Sequence, residues 1–358
     1  MHITPLLEAP SEPADPSSMQ YPVVISSRVR LARNLKEYPF PGWAQMSQRC
    51  EILAACHEAI AATPQMRDGF FYPMEELSEA ERQILIERHL ISKELSENPG
   101  GAAVAISKDQ AFSIMVNEED HLRLQIMKPG FNFRKLWKSL NVLDSALEGD
   151  LDFAFSEELG YLTACPTNLG TGIRASAMMH LPSLVLSGHM EKVVKAISQM
   201  GMAIRGLYGE GSEATGSIFQ ISNQQTLGLS EEDIIKNLTK ALHSIIAHEQ
   251  NAREKLLEAN ESSLYDKIAR AYGLLESSFK ITSTEAMNLL GLLRLAVDLK
   301  ALPEEARSEI DRLFILCQPG HILTLSQQAS TPEKRDTYRA AFLKKQFEKF
   351  PNLEFKKT

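Results

Sequence analysis

Apolar positions along the chain follow two rhythms. Short runs of strand formers and helical spacings share the first two-thirds, and helical spacing alone fills the last hundred residues. Val23, Val24 and Ile25 lead into Ser26-Ser27-Arg28-Val29-Arg30, which reads as a strand entering polar ground. Gln45 to Ala62 and Glu75 to Ile91 carry helical spacing, with Leu53, Cys56, His57 and Ile60 on one stripe of the first. Asn98-Pro99-Gly100-Gly101 breaks the chain before a predicted antiparallel meander. Its strands are Ala102 to Ser107, Phe112 to Asn117 and His121 to Met127, with turns at Lys108-Asp109 and at an acidic tip. Helices are predicted over Phe133 to Leu147 and Met190 to Met200, and Ser230 with Asp233 marks the N-cap of a long amphipathic helix running to about Asn260. Ser263 to Glu276, Ser283 to Leu299, Pro303 to Cys317 and a segment from Pro332 complete the helical part. Leu289, Leu292, Leu293, Ala296 and Leu299 form a stripe on the second of these, suited to dimerisation or to packing on the rest of the chain.

The acidic tip is dense in chemistry. Glu118, Glu119, Asp120, His121 and Arg123 fall within a few positions, and such a cluster is either a solvated turn or a site. Arg28 and Arg30 stand two apart on a strand and therefore share a face. They are either surface arginines or a pair that repels until an anion lies between them. Leu162 to Ser176 has the glycines and hydroxyls of a loop that approaches a ligand closely, without the Gly-x-x-x-x-Gly-Lys pattern of a phosphate loop. Cys165 within it is either a buried inert thiol or a thiolate tuned by nearby cations. Arg205 to Gly216 sets four glycines around Glu210 and Glu213, a loop able to close over a substrate or a plain surface hairpin. His89, near the end of its helix, reads as a partner of the helix dipole.

Composition narrows the class. A chain of 358 residues with net charge −8 and 44% hydrophobic residues describes a globular protein of one large domain with something added. The acidic balance argues against nucleic-acid binding through overall charge. Cys50, Cys56, Cys165 and Cys317 have neither Cys-x-x-Cys spacing nor the density of a disulfide framework, so a reducing, cytoplasmic setting is expected and a structural zinc site is not. Met1 to Tyr21 lacks the apolar core of a signal peptide and reads as a frayed tail over 1–20, and no later apolar run has the length of a membrane span.

Taken in order, Ser26 to Arg33, Asn117 to His121, Cys165 to Gly172 and Arg205 to Gly216 resemble the motifs of the ATP:guanidino phosphotransferases, or phosphagen kinases. The resemblance implies an α+β fold: a phosphagen-kinase catalytic domain at 21–258, an antiparallel sheet flanked by helices like that of glutamine synthetase. An all-α domain at 259–358 follows. The small helical domain that precedes the catalytic one in creatine and arginine kinases has no counterpart in this sequence. The added C-terminal segment, with Gly-Glu-Gly-Ser-Glu at Gly209 to Glu213 where metabolite kinases have Gly-Glu-His-Thr-Glu, is similar to the bacterial protein-arginine branch of the family.

The chemistry explains these residue types. A guanidinium has a pKa above about 12 and is a poor nucleophile until a proton leaves the attacking nitrogen. The resemblance makes Glu119 the base, Glu210 its partner carboxylate on the closing loop, and Cys165 a thiol lying against the guanidinium without a covalent intermediate. A transferring phosphoryl group spreads negative charge over its oxygens. The resemblance also implies Arg28, Arg30, Arg123, Arg174 and Arg205 around the phosphates of ATP and His89 near the adenine, with Mg2+ held largely by phosphates and water. Three activities are compatible with the motifs: phosphorylation of arginine side chains in proteins, phosphorylation of a free guanidino metabolite, and a silent phosphoarginine-binding adaptor. The first is favoured by the C-terminal domain and the complete set of site residues. The resemblance further implies a homodimer, stress-response marking of proteins for a ClpC-type protease, and a zinc-binding activator of the McsA type. Arg335, Asp336 and Arg339 on the last helix form either a surface face with weak ion pairs or, by resemblance to an Arg-Asp-x-x-Arg-Ala motif, an allosteric phosphoarginine site.

Overall fold

The structure, a computed structural model, describes residues 2–8, 20–206, 215–326 and 331–355. The first of these depart from the frayed tail expected over 1–20. They form α1 (Thr4–Glu8), whose Ile3 and Leu6 are fully buried against Met74, Leu77, Ile84 and Leu85. The backbone N–H groups of His2 and Ile3 donate to Glu81 Oε1, which fixes the start of the chain.

Next come β1 (Val24–Arg33), α2 (Met46–Ala62), β2 (Phe70–Pro73), α3 (Glu79–Glu87), α4 (Lys93–Glu97), β3 (Ala103–Ile106), β4 (Phe112–Val116), β5 (Leu122–Pro129) and α5 (Phe133–Asp150). A short hairpin, β6 (Phe155–Ser156) and β7 (Gly160–Tyr161), precedes β8 (Ile173–His180), α6 (Pro182–Leu186), α7 (Met190–Gln199), β9 (Met202–Gly206) and β10 (Ile218–Asn223). The chain continues as α8 (Glu231–Ser277), α9 (Ser283–Asp298), α10 (Ala306–Leu316), α11 (Pro319–Leu325) and α12 (Pro332–Phe347). Eight of the strands form one sheet in the order β2-β3-β4-β5-β1-β8-β10-β9, β6 and β7 pair separately, and the expected meander supplies the β3-β4-β5 part through antiparallel pairs.

Local chemistry sets the boundaries. The single helix expected over Glu75 to Ile91 is divided: Ser78 and Glu81 form a capping box that starts α3, and His89, at φ 58°, lies beyond its last turn. Helix α8 bends at Asn260 (φ −163°, ψ 67°), where the amphipathic pattern was expected to end, and Asn260 Oδ1 accepts from the Ser263 N–H to cap the continuation. Thr282 and Thr331 cap α9 and α12 in the same way.

The chain divides into two compact units, 1–177 with 199–203 and 221–242, and 178–198 with 204–220 and 243–358. Segments around α6 and residues 215–217 group with the C-terminal helices in the second unit. Gly291 of α9 packs on Gly216, where an added Cβ would come within 2.6 Å of the Gly216 carbonyl oxygen. Asn288 Oδ1 accepts from the Gly216 N–H at 2.7 Å, and the Glu249 carboxylate accepts from the Ser183 and Leu184 N–H groups at 2.9 Å each. Of the α9 stripe, Leu289, Leu293 and Ala296 are buried within this unit. Among the described residues no helix is long and apolar enough to cross a membrane.

In the first unit Arg33 is the strut. It is 1% exposed, pairs with Asp144 of α5 through Nε (3.1 Å) and Nη2 (2.7 Å), donates from Nη1 to the Ala32 and Thr171 carbonyls, and lies 3.5 Å over the Tyr161 ring. Removing one partner of such a pair leaves an uncompensated buried charge. Asp144→Ala is therefore expected to lower the unfolding free energy by about 3–5 kcal/mol, read as a reduced urea midpoint, with Asp144→Asn intermediate.

Candidate active site

Strand register assembles a cationic face. Antiparallel pairing sets Arg28 opposite Met127, Arg30 opposite Gln125 and Ala32 opposite Arg123, so the arginines of β1 and β5 point the same way, while Ser27, Val29 and Leu31 are buried on the other side. Arg28 Nε donates to Ser176 Oγ of β8 at 3.3 Å. Two residues along β8, Arg174 shares that face and donates from Nη2 to Ser222 Oγ of β10 at 3.4 Å. Burial, then the charges of Arg123 and Arg174, push the Arg28 guanidinium down to about 10. Arg30 is displaced downward by burial first and by the Arg28, Arg123 and Arg174 charges next, against the pull of Glu118. Its Nε is buried and makes no hydrogen bond among the described residues. The four cations repel one another, and a polyanion on this face would relieve that repulsion.

His89 lies beside this face. Burial first, then the Arg28 charge, drives its imidazole down to about 4, and its carbonyl accepts from Gln125 Nε2 at 2.7 Å. A ring that is neutral at pH 7 is no cationic partner for a helix dipole, which corrects the dipole reading of His89. Arg205 belongs to the second unit, on β9. Glu210 and the rest of the glycine-rich loop over 207–214 lie outside the described residues.

The acidic hairpin is not a solvated turn. Glu118, Asp120 and His121 are buried, and Asn117 closes the tip at φ 58° while its Nδ2 donates to the Arg49 and Gly101 carbonyls. Asp120 Oδ1 accepts from Asn34 Nδ2 at 2.6 Å and from the Ala164 N–H at 2.7 Å, which joins the hairpin to the residue before Cys165. Burial pushes the Asp120 carboxyl up. His121 Nδ1 accepts from the Leu35 N–H at 2.9 Å, so Nε2 carries the proton and donates to the Pro39 carbonyl. These residues build the tip. Glu118 and Glu119 are left to receive Arg123, at 2.5 Å and 3.0 Å, and of the two only Glu119 is partly open to solvent.

Cys165 is half-buried, its Sγ 3.1 Å from Thr167 Oγ1, so it is neither sealed in the core nor fully exposed. Thr226 Oγ1 donates to the Thr167 and Leu169 carbonyls and clamps the loop. The glycines that follow approach protein instead of ligand. At Gly170 (φ 103°) a Cβ would meet the Thr226 carbonyl oxygen at 2.6 Å, and at Gly172 (φ 67°) it would meet Arg33 Nη1 at 2.6 Å. Asn34, Gln125, Ser176 and Ser222 were not singled out by the sequence; only strand parity with Arg123 and Arg174 could have pointed to Gln125 and Ser176.

Residues 51–252 match the family model described as ATP:guanido phosphotransferase, C-terminal catalytic domain, and residues 261–358 match that of the protein-arginine kinase McsB C-terminal domain. The chain belongs to the ATP:guanido phosphotransferases. It is 44% identical over 342 residues to a protein-arginine kinase of Moorella thermoacetica, covering 94% of this chain and 97% of that one. It is 43% identical over 324 residues to that of Geobacillus stearothermophilus, covering 90% and 89%. Among solved structures it is similar to lombricine kinase, with 26% identity, a TM-score of 0.57, and 70% and 74% of the chains covered. The duplicated taurocyamine kinase of Schistosoma mansoni with bound transition state analog components gives 26% identity and a TM-score of 0.61, covering 80% of this chain and 42% of that one. The α+β fold expected from the motifs is thus present, and as a member of the ATP:guanido phosphotransferases the chain is an ATP-dependent enzyme, not a silent adaptor.

The hairpin carries a pH signature. Burial pushes the His121 imidazole down to about 4. An unfolded histidine titrates near about 6.5. Between those values the unfolded state holds the extra proton, so this stabilisation is complete above the unfolded pKa and is lost as pH falls toward the folded one. His121→Asn is expected to remove about 1.4 kcal/mol per pH unit from the slope of unfolding free energy across that window, measured by urea titration between pH 4.5 and 7, while His89 continues to contribute with the same sign.

Proposed function

We propose that this chain transfers the γ-phosphoryl group of ATP to arginine side chains of proteins. The observation that carries the reading is Arg123, which grips Glu118 and Glu119 while sharing a sheet face with Arg28 and Arg30. One guanidinium thus joins a phosphate surface to a carboxylate pair, the two halves that phosphorylation of a guanidinium requires. The acceptor is assigned from relatives named protein-arginine kinase that match over nine-tenths of the chain, and from the C-terminal match at 261–358.

In this reading the triphosphate lies on Arg28, Arg30, Arg123 and Arg174, and Arg205 is assigned to the phosphates by its motif match alone. The buried Arg30 Nε, without a hydrogen bond among the described residues, fits a phosphate oxygen, and the neutral His89 ring flanks the adenine. Mg2+ would come with the nucleotide, held by phosphates and water. When bound, the metal adds positive charge at the phosphates. Glu119 orients the acceptor guanidinium and takes its proton as nitrogen bonds to the γ-phosphorus and the bond to the bridging oxygen breaks, releasing ADP. Glu210 is the second carboxylate, and Cys165 lies against the guanidinium.

The helical part, 259–358, is assigned to dimerisation and to a phosphoarginine site on α12, with altered roles for its residues. Arg339 is buried, donating from Nε to the Cys317 carbonyl (2.7 Å) and from Nη1 to the Ile281 carbonyl (2.8 Å) and Asp336 (2.6 Å). Arg339 therefore orients Asp336, and the half-buried Arg335 is the arginine assigned to the phosphate. A cytoplasmic stress-response role, with a McsA-like activator and a ClpC-type protease, completes the proposal.

Glu119→Gln keeps size and hydrogen-bonding capacity but removes the basic carboxylate, so transfer is expected to fall on the order of a hundredfold or more with ATP affinity retained. Transfer at the parental rate would remove Glu119 from the role of base. Given free L-arginine and an unfolded protein at equal arginine concentration, the enzyme should put phosphate on the protein, mapped as phosphoarginine by mass spectrometry under non-acidic conditions. Efficient phosphorylation of the free amino acid would instead make it a metabolite kinase.

A further inference from the structure

Apart from the arginine face, the first unit carries an apolar groove of about 330 Å³ lined by the β6–β7 hairpin and by Thr226 to Leu229. Four large apolar side chains on it stand open to solvent: Phe155 is 57% exposed, Leu227 52%, Leu159 43% and Leu229 36%. A single exposed leucine is ordinary, but four apolar side chains around one groove mark a surface that binds something. Glu158 and Glu231 also line it, and neither is ion-paired among the described residues. The groove includes Gly170, Thr171 and Thr226. Thr226 Oγ1 holds the Thr167 and Leu169 carbonyls, and Thr167 Oγ1 lies 3.1 Å from Cys165 Sγ, so the groove is two contacts from the Cys165 thiol.

We infer that this groove docks the acceptor protein, as an extended segment with an apolar residue a few positions from its target arginine and further basic residues meeting Glu158 and Glu231. The inference rests on the reading of a protein acceptor. A free amino acid offers a guanidinium to Glu119 and has nothing with which to fill a groove lined by Phe155, Leu159 and Leu227. An unfolded acceptor offers both, since a strand advances about 3.3 Å per residue and reaches the groove from Cys165 within a short segment. The pairing of an acid-lined apolar surface with a cationic, apolar segment follows the charge of the acceptor itself.

The test uses the full chain with ATP and two acceptors, unfolded β-casein and a short Gly-Ser peptide containing one arginine. Leu159→Ser combined with Leu227→Ser should raise KM for casein by about tenfold or more with kcat unchanged, leave the Gly-Ser peptide unaffected, and be rescued by the Leu159→Met, Leu227→Met pair. An unchanged casein KM overturns the inference. Equal losses on both acceptors also overturn it, assigning the groove to support of the Cys165 loop. A dimer that becomes a monomer in sedimentation overturns it in favour of a second copy of this chain. If the parental enzyme phosphorylates free arginine and neither polypeptide, the protein-acceptor reading fails and the groove proposal with it.

Discussion

The buried Arg33–Asp144 pair is the constraint on which the first unit depends. A guanidinium 1% exposed must have its donors met, and Arg33 meets them with a carboxylate from α5, two carbonyls from β1 and the glycine loop, and the face of Tyr161. Each partner comes from a different segment. One side chain therefore fixes the end of β1, the helix behind it and the stretch that carries Cys165. Gly172 is required because its missing side chain leaves the space that Arg33 Nη1 occupies.

Against that settled frame the opposite face of β1 is held under mutual repulsion. Arg28 and Arg30 have their proton affinity lowered by burial and by the neighbouring guanidiniums, and Arg123 reaches carboxylates directly. Folding places these charges together at a cost that the surrounding sheet bears, and a polyanion on this face would recover it as binding energy. The hydroxyls of Ser176 and Ser222 orient two of the arginines, and a hydroxyl directs a guanidinium without cancelling its charge. A similar division governs the acidic hairpin, where Asn117, Asp120 and His121 are consumed in building the tip and Glu119 remains partly open.

Much of this was legible in the sequence, because strand parity and helix caps are local. The shared face of Arg28 and Arg30, the meander, the bend at Asn260 and the start of α12 all depend on residues within one turn or one strand. Long-range partners were not legible. Nothing near Asp144, Asn34 or Glu81 in sequence announces that they close on Arg33, Asp120 and the chain's first residues. The buried Ile3 and Leu6 were hidden by the Pro- and Ser-rich stretch that follows them, whose composition dominated the reading of 1–20 as a tail. The glycines of the Cys165 stretch suggested ligand approach, yet at Gly170 and Gly172 the close neighbours are Thr226 and Arg33.

Arginine shows why a motif alone does not assign roles. Within Arg28-Val29-Arg30-Leu31-Ala32-Arg33, the first two arginines are half-buried on the charged face, and the third is sealed in a structural pair. On α12, Arg335 and Arg339 lie four apart, about one turn of helix, yet Arg339 is spent on two carbonyls and Asp336 while Arg335 stays half-buried. A guanidinium offers five donors in a fixed plane, and the number already taken by the protein determines what remains for a ligand. Arg33 and Arg339, with most of their donors engaged, hold the fold. Arg30 differs from both: its Nε is buried with no hydrogen bond among the described residues, on the face it shares with Arg28 and Arg123.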